Sequence, residues 1–281
     1  MPYGFTKYLE SKHYSNETIK SYIPVIETFH KIVNQQNARE LLPHEINPSD
    51  IKHFLEFNRK NGHTDRTINK ELSILKKYFD YLWSIDKVPI DPTVKLKRTK
   101  IQDNKTIELS YERLLEIKQD ILKRNDYSTK RIIIYTLFLY GFRLSDFHIK
   151  KQDIDFTKDE AHLNLGEFTL ILTREEAELF MRYFWEASFT DNEYVFTSTT
   201  HDNVTIPISI DSLNKHLSVI SNHYHLRKKL NIYDIRNYYA YYLYETCSMS
   251  LQDVADRLRI KKGSAASLVE ISQKRMTKRQ A

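Results

Sequence analysis

The segment Tyr140-Gly141-Phe142-Arg143-Leu144-Ser145-Asp146 is the most informative stretch of this chain for its fold. An apolar run that starts at Ile132 leads into it and predicts a helix over residues 130–140. That run is too short to span a bilayer. Because the predicted helix ends at Tyr140, the residues Gly141, Arg143 and Asp146 follow directly after its end.

On the N-terminal side, residues 1–98 predict a compact set of helices. Ser15 precedes a helix whose apolar positions Ile19, Ile23, Ile26 and Val33 recur at helical spacing. Ser49 is placed to cap a short helix that opens at Pro48. Thr64-Asp65 begins the clearest helix, with one apolar stripe formed by Ile68, Leu72, Leu75, Phe79 and Leu82.

The two halves of the chain are predicted to be separate domains. Pro89 and Pro92 end the first half, and residues 99–109 predict a polar, basic linker with a boundary near Lys100. Residues 110–281 predict helices with three short strands at 154–156, 161–165 and 168–172. The expected fold class is mainly α, with a small antiparallel β-sheet in the second domain.

Composition narrows the function classes. The chain has 281 residues, of which 28% are charged and 41% hydrophobic, and this excludes wholesale disorder. The N-terminus lacks the apolar core of a signal peptide, and nothing predicts a membrane span. Cys247 is the single cysteine, which fits a reducing cytoplasm, and we expect it to be a buried small apolar residue. No metal or cofactor is expected.

Positive charge is concentrated near the C-terminus. The net charge is +6, yet residues 257–281 hold eight Lys or Arg against one acid, Glu270. A basic segment of this kind is either a solvated tail or a surface that follows phosphates.

Several segments together resemble the tyrosine recombinases, or phage integrases. Residues 140–146 resemble the first conserved arginine box of that family, and residues 233–240 (YDIRNYYA) resemble the second. Residues 18–22 and 67–72 resemble elements of its SAM-like core-binding domain. The resemblance covers nearly the whole chain, and it implies two domains that close around duplex DNA like a clamp.

The resemblance also implies a set of catalytic positions, most of which this chain lacks. The family uses two arginines on the scissile phosphate, a lysine, histidine or tryptophan side chains, and a tyrosine nucleophile. Arg143 and Arg236 match the arginines. The Gly166-Glu167 turn replaces the lysine, and Tyr233 and Ile260 replace two histidines. Val269 stands at the nucleophile position.

The candidate site residues follow from these matches. Arg143 and Arg236 either grip a DNA phosphate or are structural residues paired with Asp146 or Asp234. Further phosphate contacts are predicted for lysines of both domains, namely Lys20, Lys76, Lys77, Lys228 and Lys229. Base reading is predicted for two helix starts, with Arg66, Thr67, Asn69 and Lys70 on the first and Asn214 and Lys215 on the second.

The sequence thus predicts a non-catalytic, sequence-specific double-stranded DNA-binding protein of the cytoplasm, associated with the nucleoid. A transcriptional regulator, such as a repressor of phage or mobile-element origin, is the favoured role. An active recombinase with a displaced nucleophile is one alternative, with the crowded tyrosines at 238–244 as candidates. An accessory recombination factor is another. Residues 264–281 are long enough to be exchanged between protomers of a homo-oligomer, and control by a protein, peptide or small ligand stays open.

Overall fold

The computed structural model describes residues 2–101, 109–124 and 126–280, with side chains for 3–101, 109–124 and 126–275. The chain divides into two compact units, residues 1–103 and 104–281. The predicted linker at 99–109 falls largely outside the described residues.

The first unit is a set of packed helices. These are α1 (Phe5–Ser11), α2 (Asn16–Asn37), α3 (Pro48–Lys60) and α4 (Asp65–Ser84). Ser15 caps α2 as predicted, and Thr64 caps α4, each accepting a backbone N–H with its hydroxyl. The predicted cap of α3 at Ser49 is wrong. Asn47 caps that helix instead, because Pro48 occupies its first turn and Asn47 accepts from the N–H groups of Ser49 and Asp50.

The apolar stripe of α4 forms much of the first core. All five predicted positions are at most 2% exposed, which confirms the helical period of that segment. The stripe packs with buried aromatic residues of α2 and α3 such as Phe29 and Phe54, whose rings meet edge to face.

The second unit surrounds a central, almost fully buried helix. Its helices are α5 (Tyr111–Leu122), α6 (Thr129–Leu139), α7 (Glu175–Ser188), α8 (Ile210–His223), α9 (Ile232–Tyr241), α10 (Leu251–Leu258) and α11 (Lys262–Gln280), with a π-helical turn at Tyr242–Thr246. Every residue of α6 from Ile132 to Leu139 is buried, as a helix apolar on all sides must be.

The strands form the predicted small sheet and one further hairpin. The strands β1 (Ile154–Phe156), β2 (Glu160–Leu165) and β3 (Phe168–Thr173) are antiparallel in the order β1-β2-β3. Leu163 pairs with Ile154 and Leu170, so apolar side chains of all three strands share one face. The sequence did not predict the hairpin of β4 (Thr197–Thr199) and β5 (Thr205–Pro207).

The predicted burial of Cys247 is wrong. This residue follows the π-helical turn, and its side chain is exposed.

The last helix, α11, is docked on its own unit. It packs against α9 and α10, with Ala265 and Val269 buried in the core of the second unit. The Ser272 hydroxyl donates to the Asn237 carbonyl over 3.1 Å, and Arg275 lies 3.6 Å from Asp234 with both side chains 4% exposed.

Candidate functional site

Gly141 brings three segments of the second unit together. It ends α6 with φ +81°, a conformation that favours glycine. A Cβ at this position would lie 3.0 Å from Leu258 Cδ2 and 3.3 Å from Tyr239 Cδ1. Glycine therefore allows α9 and α10 to pack closely on the end of α6, which places the following Arg143 beside both helices.

The two arginines predicted from the sequence lie at this junction. Arg236, on α9, donates to the carbonyls of Gly141 and of Leu258, the latter over 3.1 Å. Arg143 lies 3.4 Å from Asp146, and its side chain is 43% exposed. Asp146 also accepts the Arg143 backbone N–H over 2.6 Å. The predicted alternative pairing of Arg236 with Asp234 is wrong, since Asp234 pairs with Lys228 and Arg275.

A third arginine, which the sequence interpretation did not identify, completes the cluster. Arg259 Nη2 lies 2.6 Å from Asp146 Oδ2, and the side chain is 13% exposed. Its guanidinium lies over the Phe168 ring, 4.9 Å from the ring centre. Arg259 ends α10 with φ +54°, a left-handed conformation that costs energy for a residue with a Cβ. Its ion pair and ring contact offset that cost.

Positive charge dominates the arginine cluster, defined as Arg143, Arg236 and Arg259 around Asp146. The pKa of Arg236 is lowered to about 10, mainly by burial and also by the charges of Arg143 and Arg259, while Asp146 opposes this shift. The Nε atoms of Arg143 and Arg259 are buried without a hydrogen-bond partner. One carboxylate against three guanidiniums leaves capacity for an additional anion, and a phosphate suits guanidinium donors.

The positions that were predicted to have lost catalytic residues lie in different surroundings. Val269 is 4% exposed on α11, and Ile260 is partly buried against the same core. Tyr233 is 44% exposed at the start of α9. Gly166 and Glu167 form the exposed turn between β2 and β3. These valine and isoleucine side chains can neither attack a phosphate nor carry a proton.

The crowded tyrosines mainly serve packing. Tyr238 and Tyr239 are buried, and Tyr239 stacks on Tyr111 with ring centres 4.9 Å apart. The Tyr239 hydroxyl accepts from Arg257 Nε over 3.1 Å. Burial raises the pKa of Tyr241. The pKa of Tyr242 is raised mainly by a hydrogen bond with the Cys247 thiol and to a smaller extent by burial. A raised pKa makes these hydroxyls harder to ionise.

The predicted base-reading residues of the first unit differ in their availability. Arg66 and Lys70 are exposed on α4, whereas Thr67 contacts the capping Thr64. Asn69 is occupied. Its amide donates to the Thr99 carbonyl and accepts the Thr99 N–H, both over 2.8 Å. This pairing ties the start of the linker segment to α4, so base reading by Asn69 would require it to break.

The other residues predicted to contact DNA lie at the surface, and some of them are paired with an acidic side chain. Asn214 and Lys215 are exposed on α8, and Lys20 and Lys229 are exposed as well. Lys76 is half-buried. Lys77, also half-buried, lies 3.6 Å from Asp80, and Lys228 is paired with Asp234. The roles of all these residues in DNA contact stay predictions.

In residues 2–101, 109–124 and 126–280 no group of three or more His, Cys, Asp or Glu could hold a metal ion. Over the same ranges, no helix combines the length and apolar character that crossing a membrane requires.

Sequence comparison identifies related proteins for parts of the chain. Residues 3–84 match the phage integrase N-terminal SAM-like domain. The tyrosine recombinase XerC of Bacillus licheniformis is 28% identical over 162 residues, which cover 55% of this chain and 51% of that protein. XerC of Staphylococcus aureus strain USA300 / TCH1516 is 29% identical over 149 residues, 52% of this chain and 48% of that protein. The chain spans about half the length of the curated relatives it matches.

Solved structures share the fold over most of the chain. A lambda integrase (75-356) dimer bound to a COC' core site has a TM-score of 0.67 at 13% identity, covering 94% of this chain and 92% of that one. The XerH recombinase bound to palindromic difH substrate has a TM-score of 0.69 at 17% identity, covering 94% and 80%. The chain is thus similar to the phage integrase SAM-like domain over residues 3–84 and to XerC over about half its length, and it shares its fold with the solved structures.

Proposed function

We propose that the chain binds a specific site on double-stranded DNA without cutting it and acts as a transcriptional regulator, most simply as a repressor of phage or mobile-element origin. One observation carries the proposal: the arginine cluster keeps its excess positive charge, while Val269, at the nucleophile position, is a buried apolar side chain. Phosphate binding needs guanidinium donors and no nucleophile.

The solved relatives are consistent with DNA as the partner. Both compared structures contain a recombinase bound to its DNA site. In this chain, Arg143 is the most exposed arginine of the cluster and would meet a backbone phosphate first. Phosphate contacts set register without reading sequence, so specificity would come from exposed side chains such as Arg66, Lys70, Asn214 and Lys215.

An active recombinase with a displaced nucleophile is the second candidate, and one observation favours it. The Tyr239 ring lies next to Gly141, within the same junction as the arginine cluster. Its hydroxyl is bonded to Arg257 and its ring is stacked, so it would have to leave both contacts to attack a phosphate.

A cleavage assay separates these two candidates. The protein first selects its own site from random duplex DNA, and the selected duplex is then nicked to trap any covalent intermediate. We expect bound DNA and no covalent adduct. A phosphotyrosine-linked band that disappears in Tyr239→Phe would establish the active alternative, whereas failure to enrich any sequence would contradict site-specific binding.

Genome-wide binding distinguishes a regulator from an accessory factor. A regulator should be found at promoters, and deletion of its gene should change transcription of the adjacent genes. Occupancy confined to recombination sites, with no change in transcription, would support the accessory role instead.

Oligomerisation through the C-terminal segment requires a rearrangement. Exchange between protomers would release Val269 from the core and break the Arg275–Asp234 pair. Sedimentation with and without DNA tests this, since a monomer under both conditions would exclude the exchange.

A further inference from the structure

A second group of cations lies in the second unit, on α6 and α8. Lys130 and Arg131 stand in the first turn of α6, and His216 stands on α8. Burial lowers the pKa of His216 to about 4, and the positive charges of Lys130 and Arg131 contribute to this shift. Arg131 Cζ lies 5.7 Å from the centre of the Tyr127 ring.

Several polar atoms of this group are buried without a partner. They are the Tyr127 hydroxyl, Arg131 Nε and His216 Nδ1. Tyr127 is 8% exposed, and its hydroxyl has no partner among the described residues. A buried donor without a partner is unfavourable, and Tyr127 and Arg131, whose side chains are in contact, each carry one.

Carboxylates do not neutralise these cations within the part of the chain that the structure describes. Lys130 Nζ donates to the Thr197 carbonyl over 2.6 Å, and its pKa is lowered by burial. Arg124 also lies over the Tyr127 ring. Unlike Arg131, it is paired with a carboxylate, since it donates two hydrogen bonds to Asp126. Arg131 has no corresponding acid among the described residues.

We propose that Tyr127, Lys130, Arg131 and His216 form a phosphate-binding site separate from the arginine cluster. A phosphate oxygen would accept from Arg131 Nε, a second from the Tyr127 hydroxyl, and others from the free Lys130 N–H bonds. His216 would donate from Nδ1 as one tautomer. A phosphate has enough acceptor oxygens for these donors, and it supplies the negative charge that these four residues lack.

The phosphate has two possible sources with the same chemistry. It is either a backbone phosphate of bound DNA, a reading that rests on the proposed function, or a free phosphate bound independently of DNA. Asn214 and Lys215 are exposed on the same helix as His216.

The test uses three variants of the full chain and two titrations. Arg131→Met removes a cation, and Tyr127→Phe removes one hydroxyl while keeping the ring. Lys123→Met, at an exposed lysine following α5, removes the same charge outside the site. Each protein is titrated with inorganic phosphate by calorimetry at low ionic strength, and with its selected duplex DNA over a range of salt concentrations. Circular dichroism confirms folding, and Tyr127→Phe decides the question if Arg131→Met does not fold.

The two sources give different results. For a DNA phosphate, Arg131→Met should weaken DNA binding about tenfold and reduce the salt slope by about 0.9, while Tyr127→Phe weakens binding at an unchanged slope. For a free phosphate, the wild type should bind one phosphate without DNA, both variants should lose it, and DNA affinity should not change. If both variants match Lys123→Met in both titrations, the site does not exist. A protein that binds no DNA at all would refute the proposed function, and the phosphate titration would still decide this proposal.

Discussion

Asp146→Asn is the most informative perturbation of the arginine cluster. The Asp146 side chain is 5% exposed and accepts from the Arg143 backbone and from the guanidiniums of Arg143 and Arg259. Asparagine keeps the shape but removes the charge, and one of its atoms becomes a donor facing other donors. Three arginines would then share a partly buried site without a carboxylate.

The cost can be worked from this geometry. Breaking a buried ion pair by changing one partner costs about 3–5 kcal/mol, and the half-exposed Arg143 places this case at about 3 kcal/mol. For a unit of this size, each kcal/mol lowers Tm by about 2–4 °C, so the second unit should melt about 6–12 °C lower. The same change makes the cluster more positive, and added phosphate should therefore raise the Tm of the variant more than that of the wild type.

Scanning calorimetry with hydrogen exchange on residues 138–147 measures both effects. Asp126→Asn is the matched control, because Asp126 is 52% exposed and its pair with Arg124 lies at the surface, where ion pairs contribute little. If the two variants lose the same stability, or if phosphate stabilises Asp146→Asn no more than the wild type, Asp146 is not the charge that balances the cluster.

Three further predictions concern other parts of the chain. Val269→Tyr should lower the free energy of unfolding by about 1–3 kcal/mol, because the core around Val269 has no room for the larger ring, and chemical denaturation measures this loss. The variant should form no covalent DNA adduct. Asn69→Asp should speed hydrogen exchange in residues 95–101, since aspartate cannot donate to the Thr99 carbonyl. Stability should fall from pH about 6.5 to about 4, because the unfolded state takes up a proton on His216 in that window while burial keeps the folded pKa at about 4. That loss is roughly 2 kcal/mol after screening by solvent, and denaturant titrations of His216→Gln should lack it.

Each of these has a result that would contradict it. A covalent adduct in Val269→Tyr would mean that the remaining side chains still support strand cleavage. Exchange in residues 95–101 that is no faster than in Asn61→Asp, an exposed asparagine at the end of α3, would show that the Asn69 pairing does not hold the segment. A pH profile unaffected by His216→Gln would assign the acid sensitivity to other groups.

Much of the fold follows from local sequence patterns. The stripe from Ile68 to Leu82 predicted both a helix and its buried face, because apolar spacing is a property of one contiguous segment. The cap Ser15 and the start of α4 at Thr64-Asp65 were predicted for the same reason. The cap of α3 was misplaced by two residues, since Ser49 and Asn47 are both good caps and only the backbone path at Pro48 chooses between them.

The candidate site was predictable in part. Gly141, Arg143 and Arg236 were found because their order and spacing survive in the sequence. The role of Arg259 was not found, because its partner Asp146 lies far away in the sequence. The hairpin of β4 and β5 was missed because its strands are three residues each and carry little alternation.

The sequence by itself determined the helical periods and the small sheet, and it predicted the two arginine boxes and the replacement of a nucleophile by Val269. Only the tertiary structure decided which partners these residues have. Arg259 is paired with Asp146 across 113 positions, Asn69 is tied to Thr99 across 30, and Arg236 bonds carbonyls rather than Asp234. Periodicity is set by neighbouring residues along the chain, whereas charge pairing depends on which distant segments the packed core brings within hydrogen-bond distance.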